Sequence, residues 1–319
     1  MKRMIAAIAA VSALAAFSAP ARAAWPDHPV RLIVPYGAGG AADSMARVFG
    51  KVLSDKLGQQ IVVENRPGGG SMIGSREAAH AAPDGYTLAI VGMATHVLAP
   101  VMNKTPGFDP VKDFTQIAYL GGSPNLFVVH PSFGAKDFKE FMAKAKTADT
   151  IDYVSAGRGS VGNLVAEYLA DKAHIKLLHV PFKGGAQAVL DLVAGHVKVG
   201  MLSASTASPQ MRSGKLIGIG VTSAKRVPDM PDVPTFIELG YPDMVATTWW
   251  ALAGPKGLPA DIVAKVNAAI NASLGTDEVK KSMAAQESQT QAMTPAEMTA
   301  FMQAEIAKWA PVAKKVAPH

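Results

Sequence analysis

The run Val30-Arg31-Leu32-Ile33-Val34-Pro35-Tyr36-Gly37-Ala38-Gly39-Gly40-Ala41-Ala42-Asp43 constrains the fold more than any other part of the chain. A short apolar segment stops at Pro35 and passes through a glycine-rich turn. From Asp43 to Phe49 the residues then continue at helical spacing. Strand, glycine loop and helix in that order leave several backbone N–H groups unpaired at the positive end of the helix. An anion fits there, because donors and dipole point at the same spot.

Residues 1–23 carry the three parts of a secretory signal. Lys2 and Arg3 form a basic start, Met4 to Phe17 an apolar run too short for a comfortable membrane span, and Ala21-Arg22-Ala23 a small-x-small cleavage pattern. Cleavage after Ala23 and a periplasmic destination are expected. No cysteine stands near that point, which excludes lipoprotein anchoring.

The whole chain has 31 Lys and Arg against 25 Asp and Glu, a formal charge of +6. Removing residues 1–23 takes away Lys2, Arg3 and Arg22 and no acid, so the charge falls to +3. With no dense basic block, nothing favours nucleic-acid binding. The absence of cysteine excludes disulfides, thiol catalysis and Cys-based metal sites. No H-x-x-x-H or H-E-x-x-H grouping occurs, so neither a metal nor a cofactor is expected.

After Asp27, short β-branched runs alternate with helical stretches. Strands are predicted at 30–34, 60–64, 87–91, 117–120, 126–130, 151–154, 177–180, 197–201 and 216–221. Helices are predicted at 41–57, 72–81, 137–146, 161–173, 185–195, 207–213, 259–274, 276–284 and 295–316. This alternation implies parallel sheets covered by helices, hence an α/β chain of two domains. Thr294-Pro295-Ala296-Glu297 reads as a capping box. Glycine and small polar loops follow several strand ends, where open parallel sheets bind ligands.

Taken in order, these fragments resemble a known family. Pro35 to Arg47 is similar to the Pro-Phe-x-Pro-Gly-Gly-x-x-Asp-x-x-Ala-Arg opening of the Bug receptors, the extracytoplasmic solute-binding proteins of tripartite tricarboxylate transporters. Glu64-Asn65-Arg66-Pro67-Gly68-Gly69-Gly70 resembles their second glycine loop. Pro83-Asp84-Gly85-Tyr86, Thr95-His96, His179-Val180-Pro181-Phe182-Lys183-Gly184, Pro231-Asp232-Val233-Pro234-Thr235 and Lys308-Trp309 follow in family order.

The resemblance implies a periplasmic binding protein of the Venus flytrap type, two α/β domains joined by two crossing hinge strands. Crossings are expected near Asn125–His130 and Ile217–Val221. Residues 24–124 and 222–319 would then form one domain and 125–221 the other. It also implies a monomer that is not an enzyme. Such a receptor captures a small carboxylate, a dicarboxylate or an aromatic acid, in the interdomain cleft and delivers it to membrane permease subunits. An orphan receptor reporting to a two-component sensor kinase is the alternative.

Expected ligand contacts are the amides of residues 37–43, including Gly39, Gly40, Ala41, Ala42 and Asp43, and the helix start near Ser160. Tyr36 would form a ring wall, and Thr95, Ser155, Ser160 and Asn163 would supply hydrogen bonds, with Gly157 in the same loop. Asn163 stands where many members have His, Leu202 where Asp is frequent, and Ala42 where a hydroxyl is common. These departures suggest a less polar distal pocket.

Blander readings compete at several of these positions. Asp43 suits helix capping as well as contact with an amine-bearing ligand. His96 reads either as facing the cleft or as a hydrogen-bonded scaffold residue. Lys183 reads as an anion attractor at the cleft edge or as a solvated loop lysine. Trp249-Trp250 could line the hinge side, with at least one ring in the core. Gly157-Arg158-Gly159-Ser160-Val161-Gly162 matches G-x-G-x-x-G but lacks the acid a dinucleotide site wants about 20 residues on. No G-x-S-x-G elbow accompanies Ser155 or Ser160, which leaves a secreted serine hydrolase poorly supported.

Overall fold

The computed structural model describes residues 25–103 and 105–316, apart from the side chains of Lys315 and Val316. The expected signal segment and its cleavage point lie outside the described residues. In chain order the strands are β1 (Val30–Val34), β2 (Ile61–Asn65), β3 (Thr87–Gly92), β4 (Phe114–Val129), β5 (Ile151–Ser155), β6 (Leu177–Pro181), β7 (Val199–Ser203), β8 (Ile217–Val221) and β9 (Thr247–Pro255). The helices are α1 (Ala41–Leu57), α2 (Met72–Ala79), α3 (Ala99–Met102), α4 (Phe138–Ala145), α5 (Val161–Ala173), α6 (Gly185–Val193), α7 (Ala204–Arg212), α8 (Ala260–Ser273), α9 (Asp277–Ala285) and α10 (Pro295–Val316).

Two lobes share one path of strands in the order β2-β1-β3-β9-β4-β7-β5-β6, with β8 also on β4. In lobe one, β1 pairs in parallel with β2 and β3, the βαβ arrangement implied by the opening motif. In lobe two, β5 pairs in parallel with β6 and β7. Each lobe has its own apolar cluster. Leu32, Phe49, Leu88 and Ile270 belong to the first, and Leu126, Val154, Leu192 and Val221 to the second. Full burial of each such side chain contributes about 1.5–3 kcal/mol.

The joint between the lobes is β4. Its first part, Phe114 to Pro124, pairs with β9, and Asn125 to Val129 pair with β7 and β8. The sequence reads here as two separate strands, because Gly121-Gly122-Ser123-Pro124 interrupts the apolar pattern. The chain nevertheless continues as one strand, with register shifts on either side of Ala118 to Tyr119. Pro124, which cannot donate to a ladder, sits where the strand changes partners.

The return passage differs from expectation. β8 does not cross: it pairs antiparallel with Leu126 to Val129 inside lobe two. Met230 and Val233 pack with Leu126 and Val128, and Phe236 packs on Phe127 and Phe138. Residues 222–246 therefore pack with lobe two rather than lobe one. The chain re-enters lobe one at Thr247, opposite Pro124, as β9.

β9 was not among the predicted strands. It is fully buried from Trp249 onward, so it lacks the alternation that marks a half-exposed strand. After Gly92 the chain forms a π-helical turn, Met93–Leu98, running into α3. The capping box forms as predicted: Thr294 N donates to Glu297 Oε2 at 2.7 Å, and Glu297 N to Thr294 Oγ1 at 3.2 Å. The helix it starts, α10, lies against Met93–Leu98, β4 and α5, touching both lobes.

Candidate functional site

Between the lobes, beyond the carboxyl ends of β1, β5 and β7, lies a cavity of about 80 Å³. Four helices begin on it. Their cap residues, Gly40 of α1, Ser160 of α5, Gly184 of α6 and Ser203 of α7, all line its wall. The caps Gly40, Gly184 and Ser203 accept no first-turn amide through a side chain; in α7 Ser205 N donates instead to Ser123 Oγ at 3.2 Å, which leaves α1 and α6 without a side-chain cap. Ser160 does cap its own helix, its Oγ accepting from Asn163 N at 3.2 Å. No lining residue bears a charge. The field inside is therefore set by helix ends, each acting as a partial positive charge.

Of the residues expected from the sequence to meet ligand, Tyr36, Gly40, Ala41, Ala42, Ser160 and Leu202 line this cavity. Burial raises the Tyr36 phenol above its ordinary pKa, against the opposing influence of the Ser71 and Thr95 hydroxyls, so it is a neutral wall and donor. Gly40 has φ −89°, which any residue adopts, whereas Gly39 has φ +81° and turns the loop. Gly39 lines a neighbouring opening with Ser44 and Leu190 rather than the cavity itself.

The other expected residues work one layer back. Asp43 sits at the third position of α1, buried, not at its cap. Its Oδ2 accepts from Gly39 N at 2.9 Å and Arg47 Nε at 3.0 Å, and its Oδ1 from Asn65 Nδ2 at 3.1 Å. Burial alone would raise its pKa, but these hydrogen bonds hold the carboxyl below its usual value. The aspartate thereby clamps the glycine loop. Thr95 Oγ1 accepts from Gly92 N at 2.9 Å. His96 is sealed between Phe108 and Phe114, and burial lowers its pKa to about 3. Its ring belongs to the core of lobe one, away from the cleft.

In lobe two, Asn163 Oδ1 accepts from Gly159 N at 3.0 Å and Nδ2 donates to Tyr153 Oη at 2.7 Å. Ser155, fully buried, lies 2.7 Å from His179 Nε2, accepts from Gly157 N at 3.2 Å and lies 3.1 Å from Ser160 Oγ. Burial and the Arg158 charge lower the His179 pKa to about 4. The serine–histidine separation suits proton transfer. However, Ser155 is closed to solvent, and among the described residues no carboxylate is hydrogen-bonded to His179. The network shapes the loop that presents Ser160. Gly157 borders a separate chamber, and Gly162 fits close packing, since a Cβ there would strike the Met201 carbonyl. Among the described residues, no three His, Asp or Glu side chains gather to hold a metal ion.

Sequence reasoning missed Asn125, Thr206 and Thr248 on the cavity wall. Asn125 Nδ2 donates to Thr248 Oγ1 at 3.0 Å, which joins the two interlobe strands beside the cavity. The proline at 124, where β4 changes partners, was the available signal for Asn125. Thr248 went unseen with β9. Of the tryptophan pair, Trp250 lines the cavity, while Trp249 is buried in the core with Nε1 donating to Glu305 at 3.0 Å.

Comparison with known proteins agrees with this architecture. Residues 45–317 match the model of the tripartite tricarboxylate transporter family receptor, TctC. The chain is 32% identical to the protein BugT of Bordetella pertussis, over 99% of this chain and 98% of that one. The solved periplasmic binding protein BugD superposes with TM-score 0.86 at 31% identity, covering 92% of this chain and 98% of that one. The Rhodopseudomonas palustris protein Rpa4515 with adipate superposes at 0.88 and 30% identity, over 92% and 98%. MatC of the same organism with bound malate superposes at 0.86 and 32%, over 91% and 100%. With its two-lobed fold and a match over most of its length, this chain belongs to the tripartite tricarboxylate transporter receptor family.

Proposed function

We propose that the chain is a periplasmic receptor that captures a small organic carboxylate between its lobes and presents the closed form to a membrane permease. The observation that carries this reading is the convergence of four helix starts on one cavity without a charged side chain. A carboxylate there accepts from backbone amides of both lobes, and its charge is balanced by dipoles that need no reorganisation. Malate and adipate in two related structures support the ligand class. Residues 1–23 would be removed on export, leaving a chain that starts Ala24-Trp25-Pro26.

The same geometry supports binding without turnover. The cavity offers donors and a ring wall, and both its serines are engaged, Ser160 as a helix cap and Ser203 with Oγ 2.7 Å from Ser205 Oγ. A ligand touching both lobes favours the closed form by its greater affinity for it. A thermal-shift screen of mono-, di- and aromatic carboxylates tests the reading, since ligand at 100 times its Kd adds about 2.7 kcal/mol. If no carboxylate raises the Tm, or if one is chemically consumed, the reading fails.

A further inference from the structure

Ser160 lines the cavity and is also the outer end of a hydrogen-bonded chain that runs into lobe two. Its Oγ donates to Ser155 Oγ at 3.1 Å, and Ser155 Oγ lies 2.7 Å from His179 Nε2. Ser155 is fully buried at the end of β5, and the His179 ring, on β6, stacks on Tyr153 at 5.0 Å between centroids. A serine hydroxyl has one proton to give and two lone pairs to receive with. At Ser155, Gly157 N occupies one lone pair from 3.2 Å and the Ser160 hydroxyl occupies the other. The Ser155 proton is left for His179 Nε2, with the Gly157 carbonyl, 3.1 Å away, as its alternative acceptor. In this arrangement Nε2 accepts and carries no proton.

Burial and the Arg158 charge keep the ring neutral, so its single proton then sits on Nδ1. Among the described residues Nδ1 has no hydrogen-bond partner, so no second bond fixes the tautomer. The same count decides what Ser160 offers the cavity. Its proton is turned back toward Ser155 and one lone pair is held by Asn163 N, which leaves a lone pair. A carboxylate needs the opposite, a donor.

We propose that His179 is the positioning residue for the Ser160 hydroxyl: a tautomer shift that puts the ring proton on Nε2 releases the Ser160 proton to a ligand carboxylate. The ring gives its Nδ1 proton to solvent and takes one on Nε2, with no net change of charge. Nε2–H then donates to Ser155 Oγ and fills the lone pair that Ser160 vacates. The Ser155 proton turns to the Gly157 carbonyl, and Ser160 keeps its cap on Asn163 N while donating into the cavity. The number of hydrogen bonds among these groups is unchanged, and the one to the ligand is added. The role rests on the carboxylate reading above and adds to it a residue that does not line the cavity.

Nitrogen NMR of the isotope-labelled chain from Ala24 at neutral pH tests this, with His179→Gln assigning the signal and succinate, adipate and benzoate as probes. In the free protein His179 Nε2 should resonate as an unprotonated imidazole nitrogen, and saturation with an acid that binds should move it to the protonated range. A nitrogen already protonated in the free protein, or one that a bound acid leaves unchanged, overturns the role and leaves the carboxylate reading standing. Calorimetry supplies a second arm. His179→Leu removes the donor that replaces Ser160 at Ser155, and should weaken binding by about three- to tenfold, the effect of one hydrogen bond. His179→Gln keeps a side-chain N–H there and should bind nearly as the parent does. In a Ser155→Ala background Ser160 has no inner acceptor, so His179→Leu should change affinity by less than about twofold. An equal loss in both backgrounds would make His179 merely structural and overturn the proposal. Failure of all three acids to bind removes the carboxylate reading and this role with it.

Discussion

Arg212 and Glu287 form an ion pair across the lobes, Nη1 to Oε1 at 2.6 Å, with Ser208 Oγ 3.3 Å from the same oxygen. Arg212 ends α7 in lobe two. Glu287 follows α9 in lobe one and is held at φ +49°, an unusual conformation for a side chain of its size. The carboxylate side chain is only 4% exposed, while the arginine is 46% exposed. If ligand release moves the lobes apart, the pair separates, so it should favour the form in which the lobes meet. A hydrogen bond to a charged group contributes on the order of 1.5–3 kcal/mol.

Glu287→Gln should therefore lower affinity for the screened acid by about tenfold, roughly 1.4 kcal/mol, although Glu287 does not line the ligand cavity. Arg212→Gln should do the same, and the double variant should be little worse than either, since both remove one interaction. Additive losses would show that the two residues act separately. Small-angle scattering should record a larger radius of gyration for the variants at subsaturating ligand.

Gly40→Val should abolish most binding while leaving the fold intact. The φ of −89° suits any residue, and an added Cβ meets only the Gly37 carbonyl at 3.9 Å. The branched side chain instead points its bulk at the cavity that Gly40 lines. Calorimetry should show at least a tenfold loss, about 1.4 kcal/mol, with a nearly unchanged Tm. Equal affinity in the folded variant would remove the α1 start from the site.

Acid should destabilise the protein before its carboxylates titrate. His96 and His179 have folded pKa values near 3 and 4, both lowered chiefly by burial. In the unfolded chain each titrates near 6.5, so below that pH the unfolded state binds protons that the folded state refuses. The histidine contribution is fully present above about pH 6.5 and declines as pH falls toward 3. At pH 5 the His96 share of the loss is about 2 kcal/mol. Tm measured from pH 7.5 to 4.5 should fall, and His96→Leu should flatten the slope. An unchanged slope in that variant would mean another group governs the acid limb.

Much of this molecule was legible from residue pattern. The strand, glycine loop and helix of Val30 to Phe49, the helices 41–57, 161–173 and 295–316, and the Thr294–Glu297 box follow from short-range rules that act within a few residues. What escaped was long-range. β9 is buried on both faces, so Thr248 and Trp250 gave no alternation to read. The return passage was placed too early because Ile217 to Val221 is a well-formed strand, and nothing local says which lobe Met230 and Phe236 pack on. Thr95, Ser155 and Asn163 were sensible polar candidates. Sequence alone does not distinguish a hydroxyl or amide that meets ligand from one that holds the loop that does.

That distinction is open to measurement at Ser155 and Ser160. Ser155 is fully buried, and its removal would leave Gly157 N and His179 Nε2 without their partner, at a cost of about 1–3 kcal/mol. Ser155→Ala should therefore lower Tm while changing affinity by less than about threefold, under ~0.7 kcal/mol. Ser160 has two roles, capping α5 through Asn163 N and lining the cavity. Ser160→Ala should cost about 1 kcal/mol of stability as a lost cap, whereas Ser160→Gly should cost only a few tenths. Both Ser160 variants should lose a similar factor in affinity, near tenfold, if the hydroxyl meets the carboxylate. Should Ser160→Gly bind like the parent, the hydroxyl serves the helix alone, and the lobe-two contacts reduce to the amides at the starts of α5, α6 and α7.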